Sequence, residues 1–381
     1  MFVIKNAVVL NDRFQFTAAD VAVDGKKIVQ VAPQNTLDFG EGQVIDAAGA
    51  YLLPGLVNIH THGAVGYDSS DCSYAGLNAM SIFWARTGTT SFLPTTTTAL
   101  YDDTVKAMEE IAGAAKRGVS GAKIAGINME GPYLSAQYKG AHRADWLRSV
   151  HEFAFDTVQA AAGGMIKLVT VAPETDGALA FIKEYSEHVH ISLGHTGADF
   201  DTCMAAFENG ASQVTHLFNA MPPVHHRKLS LIAAAFESGA RVELIGDGLH
   251  VSPIVAVMAY RMFGADKMIL INDSMNAAGL DEGSYEFCGM HVIVKDGMAR
   301  QEDGTICGGI APLFDCVKNM VSWGVPLAEA VKMASYNPAC AIGLQERIGS
   351  IAAGKDADLL LVSKELNLQK VFVDGKAVKN K

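Results

Sequence analysis

The sequence predicts an α/β protein: a (β/α)8 barrel that carries a small β-sandwich domain formed from both chain termini. Two observations predict the barrel. Strand-like and helix-like segments alternate through the middle of the chain, and eight strand-like runs occur within about 220 residues. Such alternation produces parallel βαβ units, and eight parallel strands close into a barrel. A third observation predicts the small domain, because β-rich segments with Asp-Gly turns occur at both ends of the chain.

The two ends of the chain have the same sequence pattern, in which short strand-like runs are separated by turns. Short β-branched runs such as FVIKNAVVL and DADLLLVSK alternate with turn signals, among them Asp24-Gly25 and Asp374-Gly375. Neither end can bury enough apolar surface by itself to be stable. We therefore predict that residues 1–52 and 344–381 pair into one small β domain, and that residues 53–343 form the barrel.

Eight segments between the two ends have the apolar, β-branched composition of barrel strands. A doubly wound open sheet is the alternative, but no GxGxxG motif follows the first strands, so its dinucleotide-binding version lacks support. After the eighth strand, residues 281–306 predict a β-hairpin, and helices are predicted over 310–323 and 326–342. The predicted barrel strands are LVNIHTH (56–62), SFLPTTT (91–97), KIAGINME (123–130), IKLVTVAPE (166–174), HISLGHT (190–196), QVTHLFN (213–219), RVELIGDGLH (241–250) and MILINDS (268–274).

The composition excludes several classes of protein. Apolar residues make up 49% and charged residues 19% of the 381 residues, which excludes a disordered tail or a collagen-like repeat. The net charge of −11 argues against a nucleic-acid partner, although a local cationic cluster can still bind a small anion. No apolar run approaches the ~20 residues that span a membrane, and the six cysteines form no CxxC pair. We expect a reduced, cytoplasmic protein with no membrane partner.

Polar side chains interrupt the apolar strands where the strands end. His60 and His62 share one face of the first strand, because residues i and i+2 of a strand point the same way. The C-terminal ends of barrel strands converge on one rim, where catalytic groups gather. Imidazole and carboxylate ligands suit Zn²⁺ or Fe²⁺, with Mn²⁺ as a third option. The rim residues are His60, His62, Glu130, His195, His216, His250 and Asp273.

These residues resemble the amidohydrolase superfamily and, within it, the family of N-acetylglucosamine-6-phosphate deacetylases. The resemblance covers nearly the whole chain, and its most specific motif is Glu-Gly-Pro followed by Lys-Gly-Ala-His. Its segments are LLPGLVNIHTHG (52–63), MEGPYLSAQYKGAH (129–142), GHT (194–196), VTHLFNAMPP (214–223), DGLHV (247–251), NDSMNAAGL (272–280), NPACAIGL (337–344) and GSIAAGKDADLLLV (349–362).

The resemblance implies one or two divalent ions per subunit, Zn²⁺ or Fe²⁺. It assigns Glu130, His195 and His216 to the principal metal, and it assigns His60 and His62 to a second position that shares Glu130, with Asp273 close by. Many relatives bridge two metals with a carbamylated lysine on strand four. Here Lys167 lies at the wrong end of that strand, and Glu130 takes the bridging role.

The resemblance also implies the chemistry, which is hydrolysis of the N-acetyl group of N-acetylglucosamine 6-phosphate in amino-sugar catabolism and cell-wall recycling. Asp273 accepts a proton from the attacking water and later protonates the leaving amine. His142 polarises the carbonyl oxygen. His250 holds a sugar hydroxyl or the amide.

An anion site is implied by the densest cationic run of the chain, His225-His226-Arg227-Lys228. In the family, the arginine of this loop reaches the sugar phosphate of a neighbouring subunit, so we expect a homodimer in which Arg227, with His226, completes the partner's site. Asn219 and Ala220 contact the same phosphate. This chain departs from the family pattern at Lys228-Leu229-Ser230, where Glu-Pro-Gly is expected, at Asn58 for Asp, and at Cys307-Gly308-Gly309 for Ala-Gly-Ser.

Three alternatives remain open at this point. The nearest keeps the chemistry and changes the sugar to N-acetylgalactosamine 6-phosphate, which the altered loop allows. A broader one is another amidohydrolase, such as a deaminase or cyclic amidase, against which the Glu130 and His142 motifs argue. The third is a catalytically silent binding scaffold, which predicts lost metal ligands, whereas all of them are present.

Overall fold

The computed structural model describes residues 1–37, 42–70 and 73–379. The strands, in chain order, are β1 (Phe2–Leu10), β2 (Phe16–Asp24), β3 (Lys27–Pro33), β4 (Gln43–Asp46), β5 (Tyr51–Pro54), β6 (Leu56–Thr61), β7 (Gly63–Ala64), β8 (Tyr67–Asp68), β9 (Thr89–Thr96), β10 (Lys123–Ile124), β11 (Ile127–Glu130), β12 (Ile166–Val171), β13 (His190–Leu193), β14 (Gln213–Val214), β15 (Arg241–Ile245), β16 (Met268–Ile271), β17 (Gly283–Phe287), β18 (Met290–Lys295), β19 (Met298–Arg300), β20 (Leu359–Val362), β21 (Leu368–Val373) and β22 (Lys376–Ala377).

Ten α-helices lie in the described part of the chain, and most follow a barrel strand. No helix there is long and apolar enough to cross a membrane. The helices are α1 (Tyr74–Arg86), α2 (Tyr101–Arg117), α3 (Phe155–Ala161), α4 (Ala178–Tyr185), α5 (Phe200–Glu208), α6 (Leu231–Ser238), α7 (Pro253–Phe263), α8 (Leu313–Ser322), α9 (Leu327–Ala334) and α10 (Tyr336–Ala341).

The predicted TIM-type barrel is confirmed. Strands β6, β9, β11, β12, β13, β14, β15 and β16 pair in parallel, and the short β10 extends the β9 edge just before β11. The ring closes between β16 and β6 through the backbone of the rim residues: Asp273 N–H donates to His60 O at 3.1 Å, and His62 N–H donates to Ser274 O at 2.8 Å. Barrel closure therefore fixes the distance between the residues predicted to bind metal.

The small domain is one eight-stranded sheet in the order β22-β21-β20-β5-β1-β2-β3, with β4 beside β1. The two ends of the chain meet where β5 and β20 pair antiparallel. The prediction of a β-sandwich domain built from both termini is confirmed, whereas its boundaries after residues 52 and 343 stay a prediction. Its buried core contains Ile4, Val9, Val21, Leu52, Leu359 and Phe372.

Two predicted elements differ from the structure in detail. Residues 281–306 form the three-stranded sheet β17-β18-β19 rather than a hairpin. The helix predicted over 326–342 is two helices, α9 and α10, because Ser335 leaves helical geometry with φ −133° and ψ −68°. Pro338 is the sequence signal for this break, because a proline is tolerated in the first turn of a helix but not in its interior.

Candidate metal and catalytic site

The rim residues lie where barrel strands stop and the chain turns. The sequence predicted His195, His216 and Asp273 within strands, but β13, β14 and β16 each stop two residues before them. All three residues have left-handed backbones, with φ of 47°, 29° and 44°. Each such conformation costs about 1–3 kcal/mol in a non-glycine residue. Strain at three rim positions is typical of side chains held in place for function.

Glu130 lies at the centre of the cluster, buried with both carboxylate oxygens among imidazoles. Oε1 lies 3.0 Å from Nε2 of His216, 3.3 Å from Nε2 of His195 and 3.4 Å from Nε2 of His60. Oε2 lies 3.1 Å from Nε2 of His62. One carboxylate thus contacts both groups of predicted metal ligands, as a bridging ligand must.

Asp273 completes the second group. Its Oδ1 lies 3.2 Å from Nε2 of His62 and 3.4 Å from Nε2 of His60. The ligand atoms of His60, His62 and Asp273 lie within 4.8 Å of one another. The same holds for Glu130, His195 and His216. The structure therefore brings together all six residues predicted to bind metal.

Three of the imidazoles have their Nδ1 atoms against acceptor oxygens. In the neutral ring an Nδ1 atom in that position carries the proton, so the lone pair is on Nε2 and faces the carboxylates. Nε2 of His60 is buried and has no hydrogen-bond partner among the described residues. Lone pairs that converge on carboxylate oxygens fit a divalent cation. The acceptors are Glu243 Oε2 at 2.9 Å for His60, Thr95 O at 3.1 Å for His62 and Tyr138 O at 2.9 Å for His195.

The protonation equilibria follow from the two buried carboxylates. Burial lowers the pKa of His62, but hydrogen bonds to Asp273 and Glu130 outweigh it and raise the pKa to about 9. For His195 burial wins over the contact with Glu130 and lowers the pKa to about 4. Burial opposes ionisation of Asp273, yet the charge on His60 holds the pKa of Asp273 below its usual value. The cluster attracts positive charge, as protons or as a metal ion.

His142 has the opposite tautomer. The backbone N–H of Thr98 donates to Nδ1 of His142 at 3.2 Å, and the Thr98 hydroxyl lies 2.8 Å from the same atom. Because a backbone N–H can only donate, Nδ1 accepts and the proton of the neutral ring is on Nε2. That N–H points into the site, 3.4 Å from Oε2 of Glu130. His142 is therefore arranged to donate a hydrogen bond.

A cavity of about 230 Å³ opens over the cluster. His250 lines it after β15, with Nδ1 held 2.7 Å from Oδ2 of Asp247. His226 and Arg227 lie in an exposed part of the loop before α6 and are not among the described residues that line the cavity. Other lining residues are His62, Glu130, His142, His195, His216, Asn219, Ala220, Asp273, Phe287, Thr305 and Cys307.

The sequence pattern of the amidohydrolase family matches residues 51–378. The chain belongs to the amidohydrolase family. The predictions of a metal-dependent hydrolase and of this family are confirmed, because the family match and the converging ligand groups agree.

Two relatives and one solved structure show which members of the family this amidohydrolase is similar to. It is 36% identical over 372 residues to the N-acetylglucosamine-6-phosphate deacetylase of Bacillus subtilis (strain 168), covering 95% of this chain and 93% of the relative. It is 35% identical over 327 residues to an N-acetylgalactosamine-6-phosphate deacetylase of Escherichia coli O157:H7, covering 85% and 86%. The crystal structure of N-acetylglucosamine-6-phosphate deacetylase from Pasteurella multocida matches with a TM-score of 0.93 at 31% identity, covering 99% of each chain.

Sequence reasoning missed the residues that orient the imidazoles of this amidohydrolase. Most of them act through backbone atoms, as Thr95 and Tyr138 do, and backbone contacts leave no trace in residue type. Glu243 did leave a signal, since it is a carboxylate inside the apolar strand RVELI and is fully buried. Asp247 is visible in the motif DGLH, three residues before His250. A charged residue in a barrel strand is costly unless it is paired.

Proposed function

We propose that this amidohydrolase removes the acetyl group of N-acetylglucosamine 6-phosphate, giving acetate and glucosamine 6-phosphate. This proposal depends on one observation: the histidines that face the metal positions are oriented to coordinate through Nε2, whereas His142 is oriented to donate a hydrogen bond from Nε2–H. Amide hydrolysis needs both a cation and a hydrogen-bond donor for the carbonyl oxygen. The relatives named above support the choice of sugar.

The ligand set offers two metal positions that share Glu130. We place one divalent ion at Glu130, His195 and His216, and a second at His60, His62 and Asp273. Imidazole and carboxylate donors suit Zn²⁺ or Fe²⁺. When bound, such an ion acidifies water and polarises the amide carbonyl.

Asp273, His142 and His250 have different roles in the proposed hydrolysis. Asp273, whose pKa is low, accepts the proton of the water that attacks the acetyl carbon. Nε2–H of His142 donates to the carbonyl oxygen as negative charge develops there. The C–N bond breaks when Asp273 returns the proton to the sugar nitrogen, since an amine anion leaves poorly. His250, held by Asp247, is directed at the sugar.

The second candidate is N-acetylgalactosamine 6-phosphate, with the same chemistry. Two observations favour it: the Escherichia coli O157:H7 relative and the altered loop sequence Lys228-Leu229-Ser230. The deciding experiment measures acetate release from both epimers, with metal content determined on the same sample. Faster release from the glucosamine epimer is expected. A preference for the galactosamine epimer would replace the first substrate with the second, and metal-free protein at full activity would refute the metal-dependent mechanism.

We also propose that the protein is a cytoplasmic homodimer. In this dimer, Arg227 of each subunit binds the phosphate of the substrate in the partner subunit's site. Arg227 lies in a loop whose residues 223–229 are all exposed. Two apolar side chains in the same loop are unusually exposed for their type, Val224 at 62% and Leu229 at 50%. An arginine among exposed apolar side chains is typical of a surface that contacts another subunit.

Arg227→Ala is expected to raise KM for the phosphorylated sugar far more than for its unphosphorylated analogue, because Arg binds phosphate with two parallel hydrogen bonds. Lys228→Ala is the matched control and is expected to have a smaller effect on KM.

Co-assembly of an Arg227→Ala chain with an Asp273→Asn chain tests whether the two subunits share a site. Random mixing restores about a quarter of the wild-type sites if Arg227 acts across the dimer. No recovery, with heterodimers shown to form, would refute the shared site.

A further inference from the structure

Glu243 is a fully buried carboxylate in the middle of β15 that none of the proposed catalytic steps uses. Its neighbours in the strand, Val242 and Leu244, are apolar and fully buried. Burial of a charge is expensive unless hydrogen bonds and a partner compensate for it. The contacts of its two oxygens therefore indicate what Glu243 does.

Two contacts hold the carboxylate in place. The side-chain amide of Gln213 donates to Oε1 at 2.7 Å, and the backbone N–H of His216 donates to Oε2 at 3.1 Å. The amide of Gln213 is held in turn at its oxygen, which lies 3.1 Å from Nε2 of His190. Both donors come from β14 and the residues just after it, so the neighbouring strand fixes the orientation of the Glu243 carboxylate.

The third contact of the Glu243 carboxylate is with His60, one of the residues proposed to bind metal. Oε2 of Glu243 lies 2.9 Å from Nδ1 of His60, and a carboxylate can only accept. In the neutral ring, which is the form that coordinates a metal, the proton is therefore on Nδ1, and Nε2 of His60 lies 3.4 Å from both Glu130 Oε1 and Asp273 Oδ1. If the ring had the other tautomer, an N–H would point at the metal position and block coordination.

We propose that Glu243 is a positioning residue that fixes the orientation and tautomer of His60 for the second metal. This inference rests on the two-metal site proposed above. It explains why a carboxylate is buried in a barrel strand, since an apolar residue of similar size would pack there without holding the imidazole. Partners of this kind typically change metal affinity by about 10–100-fold when they are removed.

The test uses the full chain, stripped of metal and titrated with Zn²⁺ alone against a competing chelator. The wild type is measured first, and two bound Zn²⁺ ions are expected. Glu243→Gln keeps the size of the side chain and removes its charge. It is expected to lower the affinity for one of the two Zn²⁺ ions by about 10–100-fold. Binding of no Zn²⁺ by the wild type would refute the proposed metal site itself, which is a separate failure.

Two further variants make the result specific. Asp20→Asn removes another fully buried carboxylate, which accepts backbone N–H groups of Asn6 and Asn35 in the small domain, and it is expected to leave both Zn²⁺ affinities unchanged. In a His60→Ala background, Glu243→Gln is expected to change Zn²⁺ affinity by less than about threefold, because the group it positions is gone. An equal effect with and without His60 would overturn the inference.

Folding is followed by thermal melting of each variant in the metal-free state. If Glu243→Gln does not fold, Glu243→Asp serves instead, because it keeps the charge but is one methylene too short to reach His60. A folded Glu243 variant with wild-type affinity at both sites would overturn the proposal. With the site saturated with Zn²⁺, KM is expected to stay near the wild-type value, since Glu243 does not line the substrate cavity.

Discussion

Two buried clusters of charge lie at opposite ends of the barrel, and they are balanced in different ways. At the N-terminal end, Lys123 of β10 contacts three carboxylates of the small domain, at 2.9 Å from Asp356, 2.8 Å from Asp358 and 2.8 Å from Asp374. At the C-terminal end, Glu130 and Asp273 contact only imidazoles among the described residues. The first cluster contains permanently charged cations, whereas the charge of the second depends on whether its imidazoles bind protons.

The lysine cluster is complete as it stands. Lys27 and Arg347 also contact Asp356, and Lys26 also contacts Asp374, so these two carboxylates have more than one cation. Among the described residues, Asp358 pairs with Lys123 alone. Burial works against ionisation of Asp356, but Lys27 and Lys123 lower its pKa to about 2. A network of this kind joins the barrel to the small domain and needs no ligand.

The rim cluster is complete only with a cation from outside. Its carboxylates raise the pKa of His60 and His62, so that protons occupy the space between ligand atoms when no metal is bound. The comparison shows how a structural cluster differs from a binding cluster. Both bury several charges, but only one leaves lone pairs without a permanent partner.

The largest expected effect comes from breaking the rim cluster at its centre. Glu130→Gln removes the carboxylate shared by both metal positions, so kcat/KM is expected to fall by more than about a thousandfold and Zn²⁺ content to drop. Turnover and metal content are measured on the same preparation. Chelator-treated wild-type protein that keeps full turnover would contradict the whole account.

Asp273→Asn removes the group that carries the proton but keeps a side-chain oxygen where the carboxylate contacts the second metal position. A decrease in kcat of about 10²–10⁴ is expected, because one group serves as base and then as acid, while KM changes little. Because the pKa of Asp273 is held below its usual value, the carboxylate stays ionised and able to accept a proton at neutral pH, and loss of activity by its protonation is expected only at strongly acid pH. A variant profile that matches the wild type in shape and height would remove Asp273 from the mechanism.

The corresponding change in the lysine cluster affects stability and not activity. Lys123→Met leaves three carboxylates without their central cation, and the free energy of unfolding is expected to fall by about 3–5 kcal/mol. Lys26→Met is the control, because its side chain is 68% exposed and its ion pair contributes less than about 1 kcal/mol. Denaturant unfolding measures both. A loss of Zn²⁺ affinity in Lys123→Met would show that the clusters are coupled.

The smallest effect is a pH dependence of stability that is stronger in the metal-free protein than in the metal-loaded protein. The pKa of His62 is raised from 6.5 to about 9, so its protonation stabilises the fold fully below pH 6.5, and that stability is lost as pH rises through 9. The melting temperature of metal-free protein is expected to fall over this range. Metal-loaded protein is expected to show a smaller fall, because the metal replaces the proton. Equal slopes for the two forms would argue against proton displacement by metal.

The sequence by itself determined the barrel, the sandwich from both termini and the six residues that converge on the rim. The physical reason is periodicity and position. Apolar runs of strand length identify barrel strands, and a His or Glu at the end of such a run has few structural uses. His60 and His62 follow directly from the two-residue repeat of a strand.

Only the tertiary structure decided which imidazoles present a lone pair and which presents a proton. That difference depends on contacts such as Thr95 O with His62 and Thr98 N–H with His142, made by backbone atoms of residues far away in the chain. The left-handed backbones at His195 and His216 are likewise features of the folded chain that residue type does not predict. Residue types can predict which ligands are present, but the direction of each hydrogen bond exists only once the strands have closed into a ring.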